Sequence, residues 1–418
     1  MPKVNNAALE NDLLLRGVWE GLGTPECHIT GGYVRDRLLG RKCVDLDLVL
    51  PGDIETSAGP ARRLAARLDT RAHVLGRDGN RVWRIECPEI KIEIWPLGDL
   101  SPDEDIKRRD FSCNALFWRL PNGPLDDRIG GQEDLENGVV RALSKQNLED
   151  DPVRLVRGPR FLAQLEGFEL DPKTANWIRS LAPEVSEAPR ERIGQELLKL
   201  LAAPGAADGL RSLLELGLLE PAAPDAAQCD RDWIECNISA AARLSGSAPH
   251  PVAASVEESG NAPHLALIFR AWGCPDADTV TSFAWSRSER RHAARAAALL
   301  DHALTTAEAP ATERRAFIHT TGTAFPTALA FGAAVQPNHP WARWWRMWRE
   351  RGPELVRPSA LLSGEEVGVV LDLQPGPDLG RAINGLTDAQ VRGKVRTANG
   401  ARRWLRGYSK RNVQTLEP

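Results

Sequence analysis

The chain has few cysteines for its length, seven in 418 residues, at positions 27, 43, 87, 113, 229, 236 and 274. The number is odd and no Cys-x-x-Cys pair occurs, which fits neither a disulfide framework nor a zinc knuckle and points to a reducing compartment. No stretch approaches the ~20 apolar residues of a membrane span, and the opening MPKVNNAALENDLLL lacks the basic segment and long apolar run of a secretory signal. A soluble, cytoplasmic protein without a membrane partner is expected. An excess of one charge is missing too. With 53 Lys and Arg against 57 Asp and Glu the net charge is −4, so the whole chain does not advertise a polyanion partner. No internal repeat is present. Hydrophobic residues make up 42% of the chain, enough to fill several cores, and at ~150 residues per domain the length suggests about three domains.

Up to about residue 140 short β-rich runs mix with helical ones. VDLDLVL, RVWRIEC and KIEIWPL alternate with the period of strands, and Pro88 with Glu89 sits between the last two like a hairpin turn. From about 141 onward Ala, Leu and Arg dominate in amphipathic stretches such as RERIGQELLKLL and RRHAARAAALLDHAL, so the remainder reads as mostly helical. LSGSAPHPVAASVEESGNAP, 244–263, reads as a linker or long loop, with a further break at QPNHP, 336–340. Trp341, Trp344, Trp345 and Trp348 then share one helix face. Base stacking is one reading of that stripe; packing between helices is the one its spacing favours.

The chemistry concentrates in HITGGYVRDRLLGRKCVDLDLVL, 28–50. In a strand beginning at Val44, the side chains of Val44, Leu46, Leu48 and Leu50 point to one face and Asp45 and Asp47 share the other. Two such charges about 4 Å apart repel by roughly 4 kcal/mol at an effective dielectric of about 20, so the pair calls for a cation, and magnesium is the natural one. Gly31 and Gly32 precede a short helix, Tyr33 to Leu39, closed by Gly40, where backbone amides can meet a phosphate, and Arg35 one turn in can reach the same anion. The alternative is a plain turn with Arg35 paired to Asp36. Glu93 shares a strand face with Lys91 and Trp95, opposite Ile90, Ile92 and Ile94. Beside the Asp45 strand it completes a three-carboxylate site; alone, it is an exposed glutamate near Lys91.

Further on, Arg108, Arg109 and Asp110 precede an apolar stretch, with Asp110 placed to cap a helix and Arg109 to reach a triphosphate or ribose. Asp151 can cap a helix whose first position is Pro152, followed by Arg154 and Arg157 on one face and Arg160 beyond a kink at Gly158-Pro159. A carboxylate beside an arginine can read a base edge, accepting from the exocyclic amine of adenine or cytosine while the arginine donates to the adjacent acceptor. The alternative is a surface salt bridge between Asp151 and Arg154.

Taken in chain order, GGYVRD (31–36), DLD (45–47), IEIW (92–95), RRDFSCNAL (108–116), DDRIGGQEDL (126–135), DDPVRLVRGPRF (150–161) and RERIGQEL (190–197) resemble the motifs of the class II tRNA nucleotidyltransferase and bacterial poly(A) polymerase family. The resemblance covers about the first half of the chain. It implies an α/β head with a five-stranded sheet, followed by an all-α neck, body and tail, here 1–140, 141–215, 216–340 and 341–418. It assigns Asp45 and Asp47 to magnesium, with Glu93 as the third catalytic carboxylate. Gly31, Gly32, Arg35, Arg109, Asp110, Asn114, Asp151, Arg154, Arg157 and Arg160 fall in the nucleotide site, with Gly32, Arg35 and Arg109 on the phosphates. Residues 361–405 resemble the tail of CCA-adding enzymes, which poly(A) polymerases generally lack. Three departures stand out: Trp95-Pro96-Leu97 replaces the usual Thr-Phe-Arg, Ser112-Cys113 alters a DFTINA motif, and Gly158-Pro159 interrupts an arginine helix that is usually continuous. No phosphohydrolase His-Asp pair is present, and His264 and His292 are isolated.

The implied function is template-independent addition of CMP and AMP from CTP and ATP to the tRNA 3′ end. Partial addition of CC or A alone, or poly(A) synthesis, is the alternative within the same chemistry, and an inactive nucleotide- or RNA-binding module the alternative of another class. No protein partner is implied. The near-neutral total hides an uneven distribution. Residues 381–418 carry nine basic side chains against Asp388 and Glu417, so that segment is +7 and the rest −11. Arg402, Arg403 and Arg406 in it are expected to hold the tRNA backbone.

Overall fold

The structure, a computed structural model, describes residues 4–23, 25–76, 81–222, 231–246, 250–260, 263–264, 267, 293–296 and 310–413. The chain divides into two compact units, one of residues 1–189 with 211–222 and one of 190–210 with 223–418.

The first unit is built on a mixed sheet. Its strands are β1 (His28–Thr30), β2 (Asp45–Leu50), β3 (Ala72–Leu75), β4 (Val82–Glu86), β5 (Lys91–Pro96), β6 (Phe117–Arg119) and β7 (Leu125–Asp126). The order across the sheet is β3-β4-β5-β2-β1-β6-β7. β2 and β5 run parallel, and every other neighbouring pair is antiparallel. The three strands read from alternation are present, and β4 and β5 form the hairpin marked by Pro88 and Glu89. The sheet has seven strands where five were expected, because β6 and β7, with three and two residues, are too short to show a period.

Leu46 and Leu48 of β2 and Ile92 and Ile94 of β5 are fully buried on one face, each worth about 1.5–3 kcal/mol of removed apolar surface. Val44 does not join them. It is 60% exposed and the strand begins at Asp45, so Val44 lies outside the ladder whose pleat would turn it inward. At its far end β2 is buried on both faces, since Val49 packs with Ile106, Ala115 and Phe117. One end of the carboxylate face is therefore dry and the other, at Asp45, is open to water.

The helix after β1 spans Gly32–Leu38, one residue earlier than expected at both ends, with Gly31 before it in the left-handed region at φ 71°. A helix over Val153–Gln164 runs through Gly158 and Pro159, so the interruption expected there is absent. Both residues are buried, and a Cβ at Gly158 would stand 2.9 Å from Ile178 Cδ1. That close packing holds the helix together across the hydrogen bond that proline forfeits. Within the stretch expected to be all helical, Glu169–Leu170 forms a two-residue strand beside Val139–Val140.

In the second unit, described by itself, the helices Ala311–Thr321, Phe325–Val335 and Trp341–Val356 share a core of Phe317, Phe325, Leu329, Trp341, Trp344 and Leu355. The tryptophan stripe is packing. Trp341 and Trp344 are 1% and 0% exposed, and Trp345 and Trp348 lie partly buried against the same cluster. A second cluster unites Gly364–Leu371, Pro377–Val391 and Ala398–Val413 through Val367, Ala382, Leu386 and Leu405. Part of the expected 244–263 linker is instead the helix Ala253–Ser259, preceded by buried Val252. Most of RRHAARAAALLDHAL lies outside the described residues, as do His292, Cys229 and Cys274. His264 is buried. Cys27, Cys43, Cys87, Cys113 and Cys236 are free thiols. Among the described residues no helix is long and apolar enough to cross a membrane.

Candidate active site

The sheet register assembles the acidic residues. Thr30 on β1 pairs with Asp47 on β2, and Asp47 pairs with Glu93 on β5, so Asp45, Asp47, Lys91, Glu93 and Trp95 share one face. Gly31 turns immediately beside this face. A Cβ there would stand 2.9 Å from Asp47 Oδ2 and 4.0 Å from Arg109 Nη1, so the turn needs glycine for both its φ and its clearance. Asp47, Gly31 and Arg109 thus converge on one point.

Burial pushes the Asp47 carboxyl up to about 6, with Glu93 and Asp45 adding to the rise while Arg109 and a hydrogen bond from the Trp95 side chain oppose it. A carboxylate held in that condition is short of positive charge, and a hard divalent cation shared with Asp45 supplies it. The pair therefore fits a metal. Glu93 does not complete a trio. Its Oε1 accepts from Arg84 Nε at 3.1 Å and from Nη2, and Lys91 Nζ lies 3.2 Å away and 3.9 Å from Asp45. Among the described residues no group of three or more His, Cys, Asp or Glu side chains is arranged to hold a metal. The Glu93 side chain is spent on two cations, Arg84 and Lys91, and at 15% exposure it is neither part of a three-carboxylate site nor the exposed glutamate of the alternative.

Arg35 is buried and forked onto its neighbour. Nε and Nη2 each donate to Asp36 at 2.9 Å, and Nη1 donates to Asn114 Oδ1 at 2.8 Å. The Arg35–Asp36 pair left open by the sequence is what forms. The remaining bond, from Nη1 to Asn114, ties the Gly32–Leu38 helix to the short 3-10 turn Ser112–Asn114, so the guanidinium is engaged within the chain.

Asp110 is not a helix cap. The 3-10 turn starts after Phe111, and the Asp110 carboxylate accepts from the Phe111 amide at 2.7 Å and pairs with Arg157 Nη1 at 2.8 Å. Arg157 outcompetes the cap because a buried charge needs a countercharge more than a helix end needs an acceptor. Arg109 is held by Asp105 through Nε at 3.1 Å and Nη2 at 2.7 Å and lies over the Phe117 ring. Nη1, its end nearest Gly31, has no hydrogen bond among the described residues.

Asp151 likewise closes the helix Lys145–Asp150 rather than capping the next, whose N-cap is Pro152. Its Oδ2 lies 3.7 Å from Arg154 Nε, and Arg154 Nη1 donates to the Asn147 carbonyl at 2.9 Å. Arg160 donates to Gln164 Oε1 at 2.6 Å and stacks on Phe161 at 3.9 Å, while Arg35 and Arg157 approach the same ring at 5.4 and 5.7 Å. All these residues belong to the first unit.

The sequence marked Asp36 as the alternative partner of Arg35; the other arginine holder Asp105, the ring of Phe161 and the amide of Asn147 went unmarked. The tail arginines lie in the second unit, where Arg402 is bound to Glu366 at 2.8 Å and Arg403 and Arg406 are exposed.

Comparisons with known proteins bear on the family and the fold. Residues 27–141 match the family model of the poly(A) polymerase head domain, and 167–229 that of the probable RNA and SrmB-binding site of polymerase A. The chain is 30% identical to a CC-adding tRNA nucleotidyltransferase of Thermus thermophilus, over 90% of this chain and 92% of that protein. It is 29% identical to an A-adding tRNA nucleotidyltransferase of Deinococcus radiodurans, over 92% and 96%. A Bacillus stearothermophilus CCA-adding enzyme solved in complex with CTP has the same fold, with a TM-score of 0.76 at 22% identity over 98% of this chain and 99% of that one.

Proposed function

Because this chain belongs to the tRNA nucleotidyltransferase and poly(A) polymerase family and is a nucleotidyltransferase, we propose that it adds CMP and AMP from CTP and ATP to the 3′ end of tRNA, completing the terminal CCA. In the transfer the RNA 3′-oxygen bonds the α-phosphorus, the bond to the β-phosphate breaks, and pyrophosphate leaves. The observation that carries the reading is the convergence of Asp47, Gly31 and Arg109. A metal-binding carboxylate and a cation aimed at a glycine turn are what a triphosphate needs.

Asp45 and Asp47 are the residues that would hold magnesium, which when bound eases deprotonation of the attacking hydroxyl and offsets charge on the leaving pyrophosphate. The rest is alignment by the chain's own groups. Arg109, fixed by Asp105, presents its remaining edge to the phosphates. Arg35 acts one step back, holding the glycine turn through Asp36 and Asn114. Asp151 and Arg154 read the base. The carboxylate accepts from the amine of C or A, and the keto oxygen of U or G would leave it facing a lone pair. We assign nucleotide selection to 141–215 and contact with the tRNA backbone to the tail from 341, through Arg403 and Arg406 first, since Arg402 is tied to Glu366.

A second reading, addition of only part of the end, is favoured by one observation: two relatives that align with nine-tenths or more of the chain are named as A-adding and CC-adding tRNA nucleotidyltransferases. Product lengths on a sequencing gel decide, using tRNAs ending before CCA, after C and after CC, with CTP or ATP supplied singly and together. Growth of all three to CCA supports the full reading. Arrest at CC, or extension of the CC-ended tRNA alone, establishes the partial one, and long A tracts reject both.

A further inference from the structure

Asn147 stands outside every motif named above, yet its side chain makes three hydrogen bonds near the site. It is 8% exposed. Its side-chain amide donates both protons, to the Lys107 carbonyl at 2.7 Å and to the Arg109 carbonyl at 2.6 Å. Its Oδ1 accepts from Ser144 Oγ at 2.8 Å, and its backbone amide donates to the same hydroxyl at 3.0 Å. Its own carbonyl accepts from Arg154 Nη1 at 2.9 Å. One residue thus fastens the backbone that carries Arg109 and also anchors the guanidinium of Arg154.

We propose that Asn147 is a positioning residue that couples base reading to phosphate grip, so that Arg154 and Arg109 take their working places together. The inference rests on the proposed nucleotidyl transfer. The path is contiguous: Asp151 and Arg154, then Asn147, then Arg109, then Gly31 and Asp47. A base that fits Arg154 presses on a carbonyl whose residue holds the loop of Arg109. A base that does not fit leaves that loop without support, and the α-phosphate is presented poorly to the 3′-hydroxyl. Selection then appears in turnover as well as in nucleotide binding.

The experiment compares CTP with UTP as substrates of the wild-type chain and of Asn147→Asp, which keeps the shape but faces two carbonyls with a carboxylate. Thr174→Ala is the control, because it deletes another buried link, the Thr174 hydroxyl that accepts from the Ala142 amide at 3.0 Å, and Thr174 bonds Asp171 but neither Arg109 nor Arg154. The expected result for Asn147→Asp is a fall of about tenfold or more in kcat for CTP and a loss of about tenfold in the CTP-to-UTP ratio of kcat/KM. Thr174→Ala should keep that ratio within about twofold of wild type, whatever its melting temperature. If Asn147→Asp does not fold, Ser144→Ala replaces it and should lower the ratio by about threefold, the hydroxyl alone being lost. A ratio unchanged in the folded Asn147 or Ser144 variant overturns the inference, as does an equal loss of ratio in Thr174→Ala. A wild-type chain that incorporates neither nucleotide overturns the proposed function itself, a result distinct from either.

Discussion

The Asp110 carboxylate and the Arg157 guanidinium form an ion pair at 2.8 Å, with the Asp110 side chain only 6% exposed. Burial pushes this carboxyl up, but Arg157, the Phe111 amide, Arg160 and Arg154 outweigh it and hold it below the ordinary aspartate value. A depressed folded value means stabilisation that is complete above the unfolded pKa of about 3.9 and is lost as pH falls through the folded one. Asp110→Asn should therefore be less stable than wild type by about 3 kcal/mol at neutral pH, with the gap closing below about pH 4. Urea titrations at stepped pH measure it, and a gap that does not depend on pH would contradict the pairing.

Gly31→Ala should fail on two counts, a left-handed φ and a methyl 2.9 Å from Asp47 Oδ2. A loss of about 1–2 kcal/mol in stability is expected, together with a fall in nucleotidyl transfer larger than that of Gly40→Ala. Gly40 has a similar φ but open space around it. Melting temperatures and initial rates of the two variants, compared side by side, test the point; equal rates would remove Gly31 from the site.

What the sequence made legible follows from the range of each interaction. Alternation in DLDLVL and KIEIW encodes which side chains share a face, so the Asp45, Asp47 and Glu93 face could be read before any pairing was known. The parallel register that sets Glu93 beside Asp47 could only be posed as a condition, since it depends on strands far apart in the chain. Capping was the weakest inference. Asp110 and Asp151 both carry the local signature of a cap, but one is taken by an arginine two motifs away and the other ends the preceding helix. The tryptophan spacing gave the right face. Asn147 was not singled out, because the two partners that tie it to the Arg109 loop are backbone carbonyls that any sequence would supply.

Burial should make two thiols inert. Cys27 is pushed up to about 12 and Cys113 to about 11, mainly by desolvation, and both are 0% exposed. In the native protein at pH 8 neither should be alkylated by iodoacetamide, and both should react once urea unfolds the chain. Peptide mass mapping before and after unfolding reads this directly.

The tryptophan stripe and the tail arginines should separate stability from RNA binding. Trp344→Ala removes a fully buried ring in contact with Phe317 and Phe325 and should cost about 3–5 kcal/mol. Arg403→Ala with Arg406→Ala should leave stability within about 0.5 kcal/mol while lowering the salt slope of tRNA binding by about 2. Binding isotherms at several salt concentrations, beside melting curves, check both halves; an unchanged slope would place the RNA backbone elsewhere.

The central claim is that the paired carboxylates of β2 support metal-dependent nucleotidyl transfer, and incorporation of labelled CTP and ATP into tRNA ending before CCA tests it most directly. With magnesium, the wild-type chain should extend the RNA and release pyrophosphate, while Asp47→Ala, confirmed folded, should fall by at least about a hundredfold. Undiminished incorporation by Asp47→Ala, or none by the wild type, would contradict the account.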